Sequence, residues 1–221
     1  MEIIPAIIPQ SLDDLREKLS LVVDRVPFVQ IDVTDGHFVH SKSWPYDDNG
    51  EEFNRIVNGD EGLPFWDKIN FEIDMMVEYP EDKIEQWISA GASRIVFHIE
   101  STKNPEIVID HLKELGVEVG VALNIGTPAE ILDPIAEKID FIQCMGIGRI
   151  GFQGETFDEQ AISKVADLKE KYPNIPISVD GGVNFENIEE LRNAGATRFV
   201  VGSAIFESGD VEDSIEQFKN L

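Results

Sequence analysis

The chain has 221 residues, 42% of them hydrophobic, and carries 43 acidic against 18 basic side chains, a net charge of −25. That length suits one domain or two small ones with a substantial core, and that charge argues against nucleic acid or anionic membrane as a partner, since both call for basic patches. Acidity at this level reads first as solubility; a phosphate ligand stays compatible with it, because backbone N–H groups and helix N-termini supply positive potential locally.

Cys144 is the single cysteine, so no intramolecular disulfide can form; it sits in an apolar run and reads as a small buried side chain. The first residues, Met1-Glu2-Ile3-Ile4-Pro5, lack a basic stretch followed by a long apolar one, so no signal peptide is expected. No apolar run approaches the ~18 residues of a membrane-spanning helix. A cytoplasmic location is the resulting expectation.

In chain order, short runs rich in Ile, Val and Phe predict strands at 3–8, 28–33, 69–75, 94–99, 118–124, 141–145, 177–180 and 199–201. Between them lie helical patterns. Ser11 is placed to cap the first, with Asp14 three residues on. Further helices are predicted at 80–90, 105–115, 128–138, 158–171, 187–194 and 211–219, several opening on Pro and closing on Gly. Residues 37–68 break the rhythm. They hold Trp44-Pro45-Tyr46, the acidic stretch 47–52 and a short predicted helix near 52–57; a βα excursion of this length either carries ligand or subunit contacts or is a tolerated insertion.

Eight strands with regular crossovers predict either a barrel or a doubly wound sheet. No Gly-x-Gly-x-x-Gly fingerprint follows the first strand, which weakens the dinucleotide-binding sheet. In a (β/α)₈ barrel the active site lies at the C-terminal strand ends. Those ends deliver Asp32 and Asp35-Gly36-His37 from strand two, Glu72 and Asp74 from strand three, and His98 and Glu100 from strand four. Strand five delivers Asn124, strand seven Asp180-Gly181-Gly182, and strand eight Gly202-Ser203. The two glycine-containing pairs stand where such barrels bind phosphate through backbone N–H groups; the alternative is a pair of tight turns. Asp32, Asp74 and Asp180 converge on the mouth, and crowded carboxylates repel unless a cation or a proton is shared. Asp35, before a glycine, reads as a loop cap. No lysine falls at a predicted strand end, which disfavours a Schiff-base aldolase.

These segments resemble a known family. Ile31-Asp32-Val33-Thr34-Asp35-Gly36-His37-Phe38-Val39 is similar to the Asp-Val-Met-Asp-Gly-x-Phe-Val signature of ribulose-phosphate 3-epimerases. Phe71–Val77 resembles their Phe-Asp-x-His-Met-Met-Val, and Leu123–Pro128 their Leu-Asn-Pro-x-Thr-Pro. Gly151-Phe152-Gln153-Gly154-Glu155-Thr156-Phe157 resembles Gly-Phe-Gly-Gly-Gln-x-Phe. Phe97–Glu100, Val179–Val183 and Gly202–Phe206 match closely, in the family's order.

The resemblance implies one (β/α)₈ TIM barrel of the ribulose-phosphate-binding type over residues 1–221. It implies an isomerase that moves a proton through an enediolate, with Asp32 and Asp180 as acid and base. Phosphate falls to Gly181, Gly182, Gly202 and Ser203, under a covering loop that includes Gly151 and Gly154. A small phosphorylated sugar, a pentulose phosphate in the family, is the implied partner, and a homo-oligomer follows by analogy. The family's metal ligands are two histidines and two aspartates; here the histidines are Gln30 and Asp74. The set Gln30, Asp32, Asp74 and Asp180 offers oxygen only, which suits Mg²⁺ or Mn²⁺ better than Zn²⁺, or no metal. The family's serine after strand one aligns with Pro9, and the loop before Gly151 brings Arg149, either a phosphate contact or a solvated side chain. Alternatives are a related phosphosugar isomerase, lyase or synthase, or a binding protein that kept the pocket without catalysis.

Overall fold

Eight parallel strands close into a barrel in sequence order: β1 Glu2–Ile7, β2 Phe28–Thr34, β3 Asn70–Met76, β4 Ala92–His98, β5 Glu118–Leu123, β6 Phe141–Met145, β7 Ile177–Asp180 and β8 Arg198–Val201, with β8 paired back to β1. The computed structural model describes residues 1–47 and 50–221. Asp48 and Asn49 of the predicted acidic stretch lie outside the described residues.

The helices are α1 Leu12–Val22, α2 Glu51–Val57, α3 Ile84–Ser89, α4 Pro105–Glu114, α5 Gln160–Lys171, α6 Ile188–Ala194, α7 Ser203–Phe206 and α8 Val211–Lys219. Ser11 caps α1 as expected, its side chain accepting from the Asp14 N–H. Asp210 does the same for α8. The helix expected at 128–138 does not form: a 3₁₀ turn, Ala129–Leu132, takes its place and then gives way to turns. Pro134, in mid-segment, has no N–H to continue a helical ladder and its ring blocks the preceding turn. The expected helix at 80–90 is split into a 3₁₀ turn, Pro80–Asp82, and α3.

Side chains alternate along each strand. On β2, Val29, Ile31 and Val33 join the main core between barrel and helices, while Gln30, Asp32 and Thr34 form the alternate, buried polar face. Branched apolar side chains ordinarily fill such a barrel. This one is largely polar: Gln30, Glu72, Asp74, His98, Gln143, Ser178 and Arg198 are all buried.

At the N-terminal end an ion network closes the barrel. Arg198 pairs with buried Glu72 and lies 2.9 Å from Glu2; Arg94 lies 2.8 Å from both Glu2 and Glu118. Each guanidinium also covers a ring, Arg94 over Phe28 at 3.6 Å and Arg198 over Phe141 at 3.9 Å. The space for Phe141 comes from Gly120, where a Cβ would stand 2.4 Å from the ring.

The 37–68 excursion is pinned by aromatics. Trp44 and Phe53 pack with Trp87 of α3, ring centroids 4.5–6.2 Å apart. Its first residues, Val39 and Ser41, reach the loop that follows β6: a Cβ on Gly151 would stand 2.7 Å from the Ser41 hydroxyl and 2.9 Å from Val39.

Candidate active site

Parallel strands in register set the distances at the barrel mouth. Asp32 and Asp74 are partners across β2 and β3, and Asp180 ends β7. Asp32, Asp74 and Asp180 each offer a carboxylate oxygen within 4.8 Å of the others. Two carboxamides thread this cluster. The Gln30 Nε2 donates to Asp32 Oδ1 and to Asp180 Oδ2, both at 2.7 Å. The Gln143 Nε2 donates to Asp74 Oδ2 and Asp180 Oδ2, both at 3.1 Å. His98 brings Nε2 to 3.4 Å from Asp74 Oδ1.

Burial and like charge dominate the electrostatics. Asp32 is held well above the ordinary carboxylate range by burial, then by Asp180 and Asp74. Asp180 is raised by burial and then by Asp74, against the opposing Gln30 hydrogen bond and the charge of His98. For His98, burial works against the charged form, yet the Asp74 carboxylate, with Glu100 and Asp180, together outweigh it and its pKa is raised. Such a cluster is brought to rest by a shared proton or by a cation.

The chemistry of the donor set fits a hard divalent cation, since Asp32, Asp74 and Asp180 offer only oxygen. A second observation supports the fit. The carbonyl oxygens of Gln30 and Gln143 are buried without a hydrogen-bond partner among the described residues. A half-turn of either carboxamide replaces an inward N–H with an inward oxygen.

Above this layer a cavity opens, lined by Asp32, Asp180, Gly151, Gly154, Gly181, Gly182, Gly202 and Ser203, with Met76 and Met145 among its apolar walls. Asp32, Asp180 and the glycines and serine expected to hold phosphate therefore line one space, while Arg149 does not. Gln30 and Asp74 do not line it and are fully buried beneath. The close fit at the rim demands glycine: Gly182 has φ +69°, and a Cβ there would stand 2.8 Å from the backbone of Phe157.

Other expectations are resolved locally. Asp35 caps its loop, accepting from the N–H groups of His37, Phe38 and Glu78 and pairing with Lys83 at 2.7 Å. Glu100 tethers the β5 loop through the Asn124 N–H. Arg149 lies over Phe152 and pairs with Glu155, which engages its guanidinium within its own loop. Cys144 is buried, and burial pushes its thiol up to about 12, so it is no nucleophile at neutral pH.

Sequence reasoning passed over Gln143 and Gln153 and gave His98 no role. Gln143 was detectable as the lone polar residue in Phe141–Met145, on the alternate face to Ile142 and Cys144. The convergence of His98 on Asp74 requires the strand register.

A model of the Ribulose-phosphate 3 epimerase family matches residues 2–206. A ribulose-phosphate 3-epimerase of Eremothecium gossypii is 32% identical over 205 residues, 87% of this chain and 80% of that protein. One of Candida glabrata is 30% identical over 230 residues, covering 98% and 90%. Among solved structures, the 3-hexulose-6-phosphate synthase of Salmonella typhimurium superposes with a TM-score of 0.72 at 18% identity, covering 100% of this chain and 97% of that one; this likeness concerns the fold alone.

Proposed function

The chain belongs to the ribulose-phosphate 3-epimerase family, and on that footing we propose that it epimerises a phosphorylated ketose, a pentulose 5-phosphate, at the carbon next to the carbonyl. The observation that carries the reading is the shared cavity: Asp32 and Asp180 face the same space as Gly181, Gly182, Gly202 and Ser203. A ligand held by its phosphate on those backbone groups lies against both carboxylates.

The chemical problem is a C–H made only weakly acidic by a neighbouring carbonyl. One carboxylate removes the proton from one face and a carboxylic acid returns a proton to the other. The raised pKa values of Asp32 and Asp180 favour keeping a proton on the pair near neutral pH, and an acid facing an ionised partner is the state the reaction needs. Gln30 joins the two carboxylates and holds their spacing. Met76 and Met145 exclude water from the reacting carbon. The Gly151–Gly154 loop covers the cavity.

Asp32, Asp74 and Asp180, with the carbonyl end of Gln30, would hold a divalent cation, Mg²⁺ or Mn²⁺ in preference to Zn²⁺. When bound, it supplies positive charge to the developing enediolate. The proposal takes residues 1–221 as one barrel domain. Self-association rests on analogy alone, and sedimentation of the purified chain tests it.

Turnover of ribulose 5-phosphate with Mg²⁺, Mn²⁺ or Zn²⁺, and in chelator, tests the function. Conversion with Mg²⁺ or Mn²⁺ is the expected result. Binding of the sugar phosphate without conversion under every condition identifies a non-catalytic binding protein instead.

A further inference from the structure

Gln153 stands in the loop after β6, at the place where the pattern this segment resembles has glycine. Its Nε2 donates to the main-chain carbonyl of Ala6 on β1 across the mouth of the barrel, at 3.2 Å. Among the described residues this is the hydrogen bond that ties the tip of the loop to the strands. The base of the loop is anchored separately, by the Gly146 N–H to the Asp180 carbonyl.

The same nitrogen lies over the predicted phosphate cradle. A Cβ built on Gly202 would stand 3.2 Å from Gln153 Nε2, so a ligand oxygen resting on Gly202 and Ser203 comes within hydrogen-bonding reach of it. A carboxamide nitrogen has two hydrogens. Ala6 takes one, and the other is a carboxamide donor beside the backbone N–H groups of the cradle. Gln153 lines the cavity together with Gly202 and Ser203. Any lifting of the loop tip breaks the Gln153–Ala6 bond.

We propose that Gln153 is a positioning residue for the anionic end of the substrate, latching the loop to Ala6 when the cavity is free and donating to the phosphate when it is filled. The inference rests on the phosphate reading of Gly181, Gly182, Gly202 and Ser203. It adds a side chain that determines how tightly, and with what charge, the anion is held. A carboxamide adds a donor without a charge, whereas a carboxylate at this position would meet the phosphate with like charge.

Titration with inorganic phosphate tests it, using the wild type, Gln153→Ala, Gln153→Glu and Gly202→Asp, each first shown to melt as the wild type does. Gln153→Ala is expected to bind about tenfold more weakly, the worth of one hydrogen bond to a charged group. Gln153→Glu should bind more weakly still. A latch without a phosphate contact would leave Ala and Glu alike, and no weaker than wild type; that result overturns the proposal. With ribulose 5-phosphate, Gln153→Ala should raise KM more than it lowers kcat; the reverse split contradicts a role in holding the anion. If the wild type binds phosphate and Gly202→Asp does not, the cradle stands whatever Gln153 does. If the wild type binds none, or Gly202→Asp binds equally well, the cradle and this proposal both fall.

Discussion

The Gln30 carboxamide donates across the barrel interior to the Asp180 carboxylate, nitrogen to oxygen 2.7 Å, from the place where the family pattern has a metal-binding histidine. The substitution exchanges a nitrogen donor for a group that bridges Asp180 to Asp32 as a hydrogen-bond donor or presents oxygen to a cation. Restoring both nitrogens, with Gln30→His and Asp74→His together, is expected to shift preference from Mg²⁺ and Mn²⁺ toward Zn²⁺. Competition titration of metal-stripped protein measures this. Unchanged selectivity in a folded double variant contradicts an oxygen-only site.

Stability should depend on pH in a way that a cation suppresses. Asp32 and Asp180 have raised folded pKa values, so their contribution is fully present below the unfolded carboxylate value, about 4, and is lost as pH rises toward the Asp180 value of about 8. His98, also raised, acts in the same direction. In chelator the melting temperature should fall from pH 5 to pH 8.5, and Mg²⁺ or Mn²⁺ should flatten the slope. Asp74→Asn, with one carboxylate fewer, should flatten it without metal. A wild-type slope indifferent to both ions, or unmoved by Asp74→Asn, counts against the cluster as its source.

Asp32→Asn and Asp180→Asn each keep the size of the side chain and remove its proton chemistry. Each should lower kcat by about 10²–10⁴-fold, the range for a general acid or base. Phosphate affinity should stay near that of wild type, because the cradle is made of other residues. Steady-state kinetics beside phosphate titration separate the two effects. An Asn variant with wild-type kcat removes that residue from the mechanism.

At the opposite end of the barrel, Arg198→Met should leave Glu72 buried with Arg94 3.6 Å away, too far to replace the lost hydrogen bond. Removing one member of a buried pair costs about 3–5 kcal/mol. Urea unfolding measures it. A loss below about 1 kcal/mol, the surface-pair range, means that this network does not secure the barrel floor.

The barrel was legible because its strands are short branched runs and its punctuation is regular. β6, β7 and α8 have the expected bounds, Phe141–Met145, Ile177–Asp180 and Val211–Lys219. That Asp32, Asp180 and the rim glycines share one cavity was legible because strand ends and motif order both mark them. Gln143 was less so: its reach to Asp74 and Asp180 spans 69 and 37 residues of chain and depends on which strand faces which. The 128–138 segment misled because its apolar spacing is helical, while Pro134 overrides the spacing.

Solvent deuterium incorporation tests the central claim most directly. Ribulose 5-phosphate is incubated in deuterium oxide with the wild-type chain and Mg²⁺ or Mn²⁺, and carbon 3 is followed by proton NMR. The account predicts loss of the carbon 3 proton signal, with deuterium in the epimeric product and little epimer formed by Asp32→Asn or Asp180→Asn. Epimer formed with its original carbon 3 hydrogen retained, or a carbon 3 signal that persists while the sugar phosphate is bound, would contradict proton transfer by this pair.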